Sequence, residues 1–90
     1  MAKRAKLEIM RDILKIIREN KGMIKPTPLL RKAGLSSGRF KEYYKDLLEK
    51  KLVSESVNDT SDKQILITEK GSKFLERYRT IIEFIDEFDL

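Results

Sequence analysis

The sequence predicts a mainly α domain with one small β-hairpin, an α+β fold. Three observations predict it. Apolar residues recur at steps of three and four through most of the chain. The period falls to two only between Leu52 and Thr68, and a turn-forming run, Asn58-Asp59-Thr60-Ser61-Asp62, breaks that stretch in its middle. Ninety residues make one domain, 1–90, with a single modest core.

The first helix is predicted over 5–21. Leu7, Met10, Leu14 and Ile17 step by three and four, Ile9, Ile13 and Ile16 widen the stripe, and charged residues fill the other face. Gly22 is placed to end it in a left-handed turn, with Lys21 near the negative end of the helix dipole. Met23-Ile24-Lys25 is one small strand or an extended link, and Pro26 biases Lys25 away from helix. A short helix is predicted over 27–33, with Thr27 as N-cap and Pro28 in the first turn. Leu29, Leu30 and Ala33 face inward and Gly34 stops it. The next helix, 37–50, opens at Ser36-Ser37, where either serine can cap. Phe40, Tyr44, Leu47 and Leu48 form its apolar side and Tyr43 borders it. The hairpin occupies 52–68. Thr68 caps the last helix, 69–88, whose residues Phe74, Tyr78, Ile81, Ile85 and Phe88 make a seven-residue repeat with Leu75 and Ile82 on the flank.

Composition narrows the function. The chain has no cysteine and no histidine, which excludes a disulfide framework, thiolate or imidazole metal sites, and triads built on either residue. The acidic residues have no metal-binding spacing, so neither a metal nor a cofactor is expected, and no small-molecule ligand is evident. No apolar run approaches membrane-spanning length. No uncharged apolar core follows the basic N-terminus, so a soluble, cytoplasmic protein is expected. The net charge of +5 hides a gradient: residues 1–51 carry +9 and residues 52–90 carry −4. A basic half of that size points to a polyanion partner.

The middle of the chain is the informative part. A helix of about six residues ends at Gly34, the turn is Gly34-Leu35-Ser36, and a longer helix follows. Leu29, Ala33, Leu35, Phe40 and Tyr43 hold the two helices at a steep angle over one core, as a helix-turn-helix requires. Three segments then carry a family resemblance: Arg31-Lys32-Ala33-Gly34-Leu35-Ser36, the run from Phe40 to Val53, and Ile67-Thr68-Glu69-Lys70-Gly71-Ser72-Lys73-Phe74-Leu75. With them the chain resembles the small archaeal winged helix-turn-helix proteins, some of which are transcription regulators and others chromatin-type dimers. The resemblance covers the chain after Lys6. It implies a winged helix-turn-helix with a long C-terminal helix, double-stranded DNA as partner, a homodimer joined through the last helix, and no enzyme activity. The helix 37–50 would lie in the major groove and the hairpin would be the wing.

On that frame the candidate DNA-binding residues are Lys25, Thr27, Arg31, Lys32, Ser36, Ser37, Gly38, Arg39, Lys41, Lys45 and Lys63. The helix entry at Ser36-Ser37-Gly38 offers free N–H groups to a phosphate oxygen, although ordinary capping explains the same residues. Arg39 has the fork that matches guanine O6 and N7. Lys41 and Lys45 suit phosphates, which position the protein without reading sequence. Lys25, Thr27, Arg31 and Lys32 flank the helix that crosses the backbone in such folds. Glu42 also faces outward, either accepting from cytosine N4 or, the favoured reading, pairing with Lys41 or Lys45. Tyr43 and Tyr44 are read as core in preference to base-stacking groups. Lys3, Arg4 and Lys6 form a short basic tail, either reaching along DNA or disordered.

Two features depart from the family pattern. The hairpin tip is acidic except for Lys63 just beyond it, and an acidic tip repels phosphate. Leu30 occupies a position that is usually small.

The last helix is the candidate dimer interface, through Phe74, Tyr78, Ile81, Ile82, Ile85 and Phe88. A helix of about 20 residues spans roughly 30 Å, longer than so small a core. Its outer end would leave Ile81, Ile82, Ile85 and Phe88 in water, and such a stripe marks a partner surface. Self-pairing as an antiparallel coiled coil is the simplest solution. The other reading is that the stripe covers the first helix of its own chain. A protein-interaction module on the same scaffold, without DNA, is the main functional alternative. Single-strand or RNA binding by the basic face with the tyrosines is a third.

Overall fold

The broad apolar stripe near the N-terminus makes α1 (Ala2–Glu19) the centre of the fold. The computed structural model describes residues 2–90, with side chains from Lys6 onward. The chain continues through β1 (Met23–Ile24), α2 (Pro26–Ala33), α3 (Ser37–Glu49), β2 (Val53–Val57), β3 (Lys63–Ile67) and α4 (Glu69–Glu87). Met10, Ile13, Leu14 and Ile17 of α1 are almost wholly buried, and Ile24, Leu29, Phe40, Leu47, Leu52, Val53, Ile65 and Leu75 complete one core around them.

Both ends of α1 differ from the predicted 5–21. The helix starts at Ala2, among residues that favour helix. It ends two residues early because Lys21, at φ 65°, takes the left-handed position first, with Gly22 following at φ 82°. The Gly22 N–H donates back to the Ile17 carbonyl at 2.9 Å, closing a Schellman-type cap. Lys6 belongs to α1 and not to a tail; the side chains of Lys3 and Arg4 lie outside the described residues.

The predicted start of the second helix needs correction. Thr27 is not the N-cap. Lys25 holds that position with extended backbone (φ −77°, ψ 153°) and no side-chain cap, and Pro26 occupies the first turn. Proline has no N–H to leave unsatisfied and its φ is already helical, so it opens the helix one residue ahead of the threonine. The helix closes as predicted at Gly34, which is left-handed at φ 69°. Leu30 is half-buried and packs on the core.

The serine choice resolves to Ser36, whose hydroxyl accepts from the Arg39 N–H at 3.3 Å. The hairpin forms as predicted, with Val53 opposite Ile67 and Val57 opposite Lys63. Its sheet is larger than predicted. β1 pairs antiparallel with β3, Ile24 opposite Ile65, giving three strands in the order β1-β3-β2. Ile24, Val53 and Ile65 turn inward onto α1.

Thr68 caps α4 as predicted, and also ties it down. Its hydroxyl accepts from the Gly71 N–H at 3.0 Å and lies within donating distance of the Lys51 and Leu52 carbonyls, at 2.8 and 3.0 Å. The face α4 turns inward differs from the predicted stripe. Gly71 and Leu75 are buried, with Tyr78, Ile82 and Ile85 half-buried in the same row. Leu75, read from sequence as a flank, is the core residue of α4 because this row meets α1.

Candidate nucleic-acid interface

The α2–α3 pair presents its polar side to solvent because its apolar side is spent on the core. Leu29 of α2 and Phe40 and Leu47 of α3 are buried. All eleven predicted contacts, Lys25, Thr27, Arg31, Lys32, Ser36, Ser37, Gly38, Arg39, Lys41, Lys45 and Lys63, are exposed. The first ten come together on α2, the turn and α3; Lys63 sits apart on the hairpin. Helical geometry turns each residue by about 100°. Gly38, Glu42 and Lys45 therefore lie along the middle of the outward face of α3, with Lys41 and Arg39 leaving from its two opposite edges.

Charge pairing separates these cations into two kinds. Lys25, Arg31, Lys32, Arg39, Lys41 and Lys45 form no ion pair among the described residues. The favoured pairing of Glu42 with Lys41 or Lys45 is not formed either, so among the described residues Glu42 has no ion-pair partner in the middle of the basic face. Lys63 is engaged: its Nζ lies 3.0 Å from Glu55 Oε2.

That pair belongs to a contact that joins the hairpin to α3. The Tyr44 hydroxyl donates a short hydrogen bond to the same Glu55 oxygen. Its ring stacks on Phe40 with centroids 5.6 Å apart and planes 11° apart. Burial, then the adjacent carboxylate, pushes the Tyr44 hydroxyl far above the ordinary phenol range. The hydrogen bond from Tyr44, followed by Lys63, holds the Glu55 carboxyl below its usual value. Tyr44 is thus committed to packing, and Tyr43 is half-buried against the core. Sequence analysis missed Glu55, whose period-two setting marked only an outward strand position.

On its other side α3 is braced by α1. Lys6 Nζ lies 2.6 Å from Asp46 Oδ2, and Lys50 reaches Asp46 Oδ1 at 3.8 Å. The hydrogen bond from Lys6 holds the Asp46 carboxyl low, and the same bond raises the Lys6 ammonium.

The hairpin tip is compact and acidic. Asn58 Oδ1 accepts from the Thr60 and Asp62 N–H groups at 3.0 and 2.9 Å and from the Thr60 hydroxyl at 2.8 Å. Asp59 and Asp62 are exposed there. No group of carboxylates among the described residues has the arrangement of a metal site, and no helix is long and apolar enough to cross a membrane.

The predicted stripe on α4 divides in two. Phe74 and Tyr78 lie against their own chain, stacked on each other at 6.3 Å, with the Arg11 guanidinium 5.2 Å above the Tyr78 ring. Farther out, Ile81 and Phe88 are each 56% exposed, and Ile82 and Ile85 are half-buried. Phe84, absent from the predicted set, is 54% exposed and packs against Phe88 at 4.8 Å. Its position four before Phe88 and three after Ile81 was the available signal.

Similar proteins share this architecture. Sso10a-2, a DNA-binding protein from Sulfolobus solfataricus, superposes with a TM-score of 0.72 at 23% identity, covering 91% of this chain and 82% of that one. F93 from STIV, a winged-helix DNA-binding protein, gives 0.70 at 20% identity, over 92% and 90%. MepR, a transcription regulator of the Staphylococcus aureus multidrug efflux pump MepA, gives 0.74 at 16% identity, over 89% of this chain and 60% of its own. No curated protein matches the sequence. The sequence profile of the winged helix-turn-helix family matches residues 3–86, which span the helix pair, the hairpin and nearly all of α4. With its three-stranded sheet and long last helix in the same order, the chain belongs to the winged helix-turn-helix family.

Proposed function

We propose that the chain binds double-stranded DNA as a homodimer, with α3 in the major groove, α2 across the phosphate backbone and the outer half of α4 joining the two copies. It would act as a transcription regulator or chromatin-associated protein in the cytoplasm or on the nucleoid, without enzymatic activity. The observation that carries the reading is the set of six cations on α2, α3 and the loop before α2, exposed and in no ion pair among the described residues. Unpaired cations on one surface are what releases counterions from a phosphate backbone. The DNA-binding and regulatory neighbours of the same fold support the choice of polyanion.

The roles differ along the surface. Lys41 and Lys45 contact phosphates, Arg39 reaches a base edge from the rim of the face, and Glu42 disfavours phosphate at the centre. Lys63 contributes least, since Glu55 neutralises it and the tip beside it is acidic. The exposed Ile81, Phe84 and Phe88 keep the protein-interaction reading as the rival, with a partner other than a second copy.

The test is binding to labelled duplex, single-strand DNA and RNA across a salt series. Duplex is expected to bind best, with log affinity falling linearly against log salt by about 0.9 per phosphate contact. Replacing Lys41 and Lys45 together by alanine should lower that slope by roughly 2. Arg39→Ala should instead cost about 1–3 kcal/mol of discrimination at one base pair. An unchanged slope in the double variant, or no duplex binding at low salt, removes α3 from DNA.

A further inference from the structure

The α1–α4 side of the molecule carries an apolar groove that the DNA-binding reading does not use. Its floor and walls are Leu7 and Met10 of α1, Leu52 and Phe74. Its rim is made of three cations, Lys6, Lys50 and Lys70. The volume, about 530 Å³, falls within the roughly 300–1,000 Å³ of small-molecule sites. Leu7 is 42% exposed on its wall, so the groove opens to solvent along α1.

Charge decides what the groove fits. Lys6 and Lys50 share one carboxylate, Asp46, so the rim is left with surplus positive charge. Lys70 has no carboxylate partner among the described residues, while its neighbour Lys73 pairs with Glu69 at 3.8 Å. Lys70 also stands in the first turn of α4, at the positive end of that helix dipole, where a cation is electrostatically disfavoured. An unpaired cation in the wrong place for its helix, beside an apolar cavity, is complementary to an anion with a hydrocarbon body.

We propose that this groove is a binding site for a single-chain amphipathic carboxylate, its head held by Lys70 at the rim and its chain lying on Leu7, Met10, Leu52 and Phe74. The site lies on the inner half of α4, away from the exposed residues at its outer end, so the proposal does not depend on how the chain associates or on DNA.

The experiment titrates decanoate, 1-decanol and decylammonium into the full chain and follows amide chemical shifts residue by residue. Decanoate should give saturable shifts centred on Leu7, Leu52 and Phe74, with a Kd of about 1 mM or tighter. Decanol and decylammonium should bind at least about tenfold more weakly, each lacking the attraction of the rim. Lys70→Glu should lose the decanoate response without lowering Tm, because a carboxylate suits the first turn of a helix. Leu7→Asp should lose it by placing charge on the groove wall. Decanol binding as tightly as decanoate would overturn the assignment, as would an undiminished response in Lys70→Glu or the absence of saturable shifts at the groove.

Discussion

Tyr44 shows how a single hydroxyl links two parts of the surface. Its ring packs on Phe40 within α3, and its hydrogen bond to Glu55 fixes the hairpin against that helix. Lys63 completes the set from β3. The protonation chemistry gives the contact a direction in pH. Glu55 is held below its ordinary value of 4.5, so its contribution to stability is complete above that value and is lost as pH falls through the lower, folded one. Tyr44→Phe keeps the ring and removes the bond. The variant should be about 1 kcal/mol less stable near neutrality. The gap from the parent should close as the medium is acidified below the ordinary carboxylate range and through the lowered value of Glu55. Urea unfolding at several pH values checks this, and a gap that stays constant into acid would mean that the loss is one of packing alone.

At the scale of elements, the join between the sheet and α4 leaves no room for a side chain at Gly71. A Cβ built on Gly71 would stand 2.3 Å from the Leu52 carbonyl oxygen and 2.8 Å from Ile67 Cγ1. The first obstacle is backbone, held in place by the Thr68 N–H at 3.1 Å and the Thr68 hydroxyl at 3.0 Å, so it cannot yield as a side chain would. Gly71→Ala should therefore cost about 1–3 kcal/mol, the usual range for overpacking. Alanine's better helix propensity offsets less than about 1 kcal/mol of that. Thermal unfolding measures it directly, and a variant as stable as the parent would mean that α4 rides free of β2. This contact was not legible in the sequence, where Gly71 is only a glycine in a first turn. What was legible was whatever a local period or cap decides: the α1 stripe, the Gly34 stop, a serine cap on α3, the Thr68 cap and the two strands of the hairpin. The misreadings have a common cause. β1 joins the sheet through residues more than 40 positions away, and Leu75 is core because α1 lies opposite it. Neither fact has a local signature. The candidate interface follows the same division: exposure of the basic residues could be read from helical spacing, whereas the engagement of Lys63 and the isolation of Glu42 depend on which side chains meet.

The whole molecule is elongated, 51 Å by 26 Å by 21 Å, although its core is one cluster around α1. A 19-residue helix accounts for the difference, since at 1.5 Å per residue α4 runs about 28 Å while only Gly71 and Leu75 of it are buried. The inner row, Tyr78, Ile82 and Ile85, still has partial cover; the outer row, Ile81, Phe84 and Phe88, has little. The two rows interleave at steps of three and four, so the outer half of α4 carries one continuous apolar band about 160° wide. One chain cannot cover such a helix, but a second copy of the same helix laid antiparallel can, and aromatic side chains are strong contributors to such contacts. The acidic residues here, Glu83, Asp86, Glu87 and Asp89, flank the stripe and would set its register. Ile81→Asp combined with Phe84→Asp places charge in the outer row without touching the buried Leu75. Sedimentation should then report a species of 10.6 kDa where the parent gives twice that mass, with the fold of the inner half retained. Because the paired copies would also pair the α3 helices, the same variant should bind duplex DNA more weakly with a shallower salt slope. A variant that remains a dimer would put the interface elsewhere, and the apolar end of α4 would then be the surface on which a different protein docks.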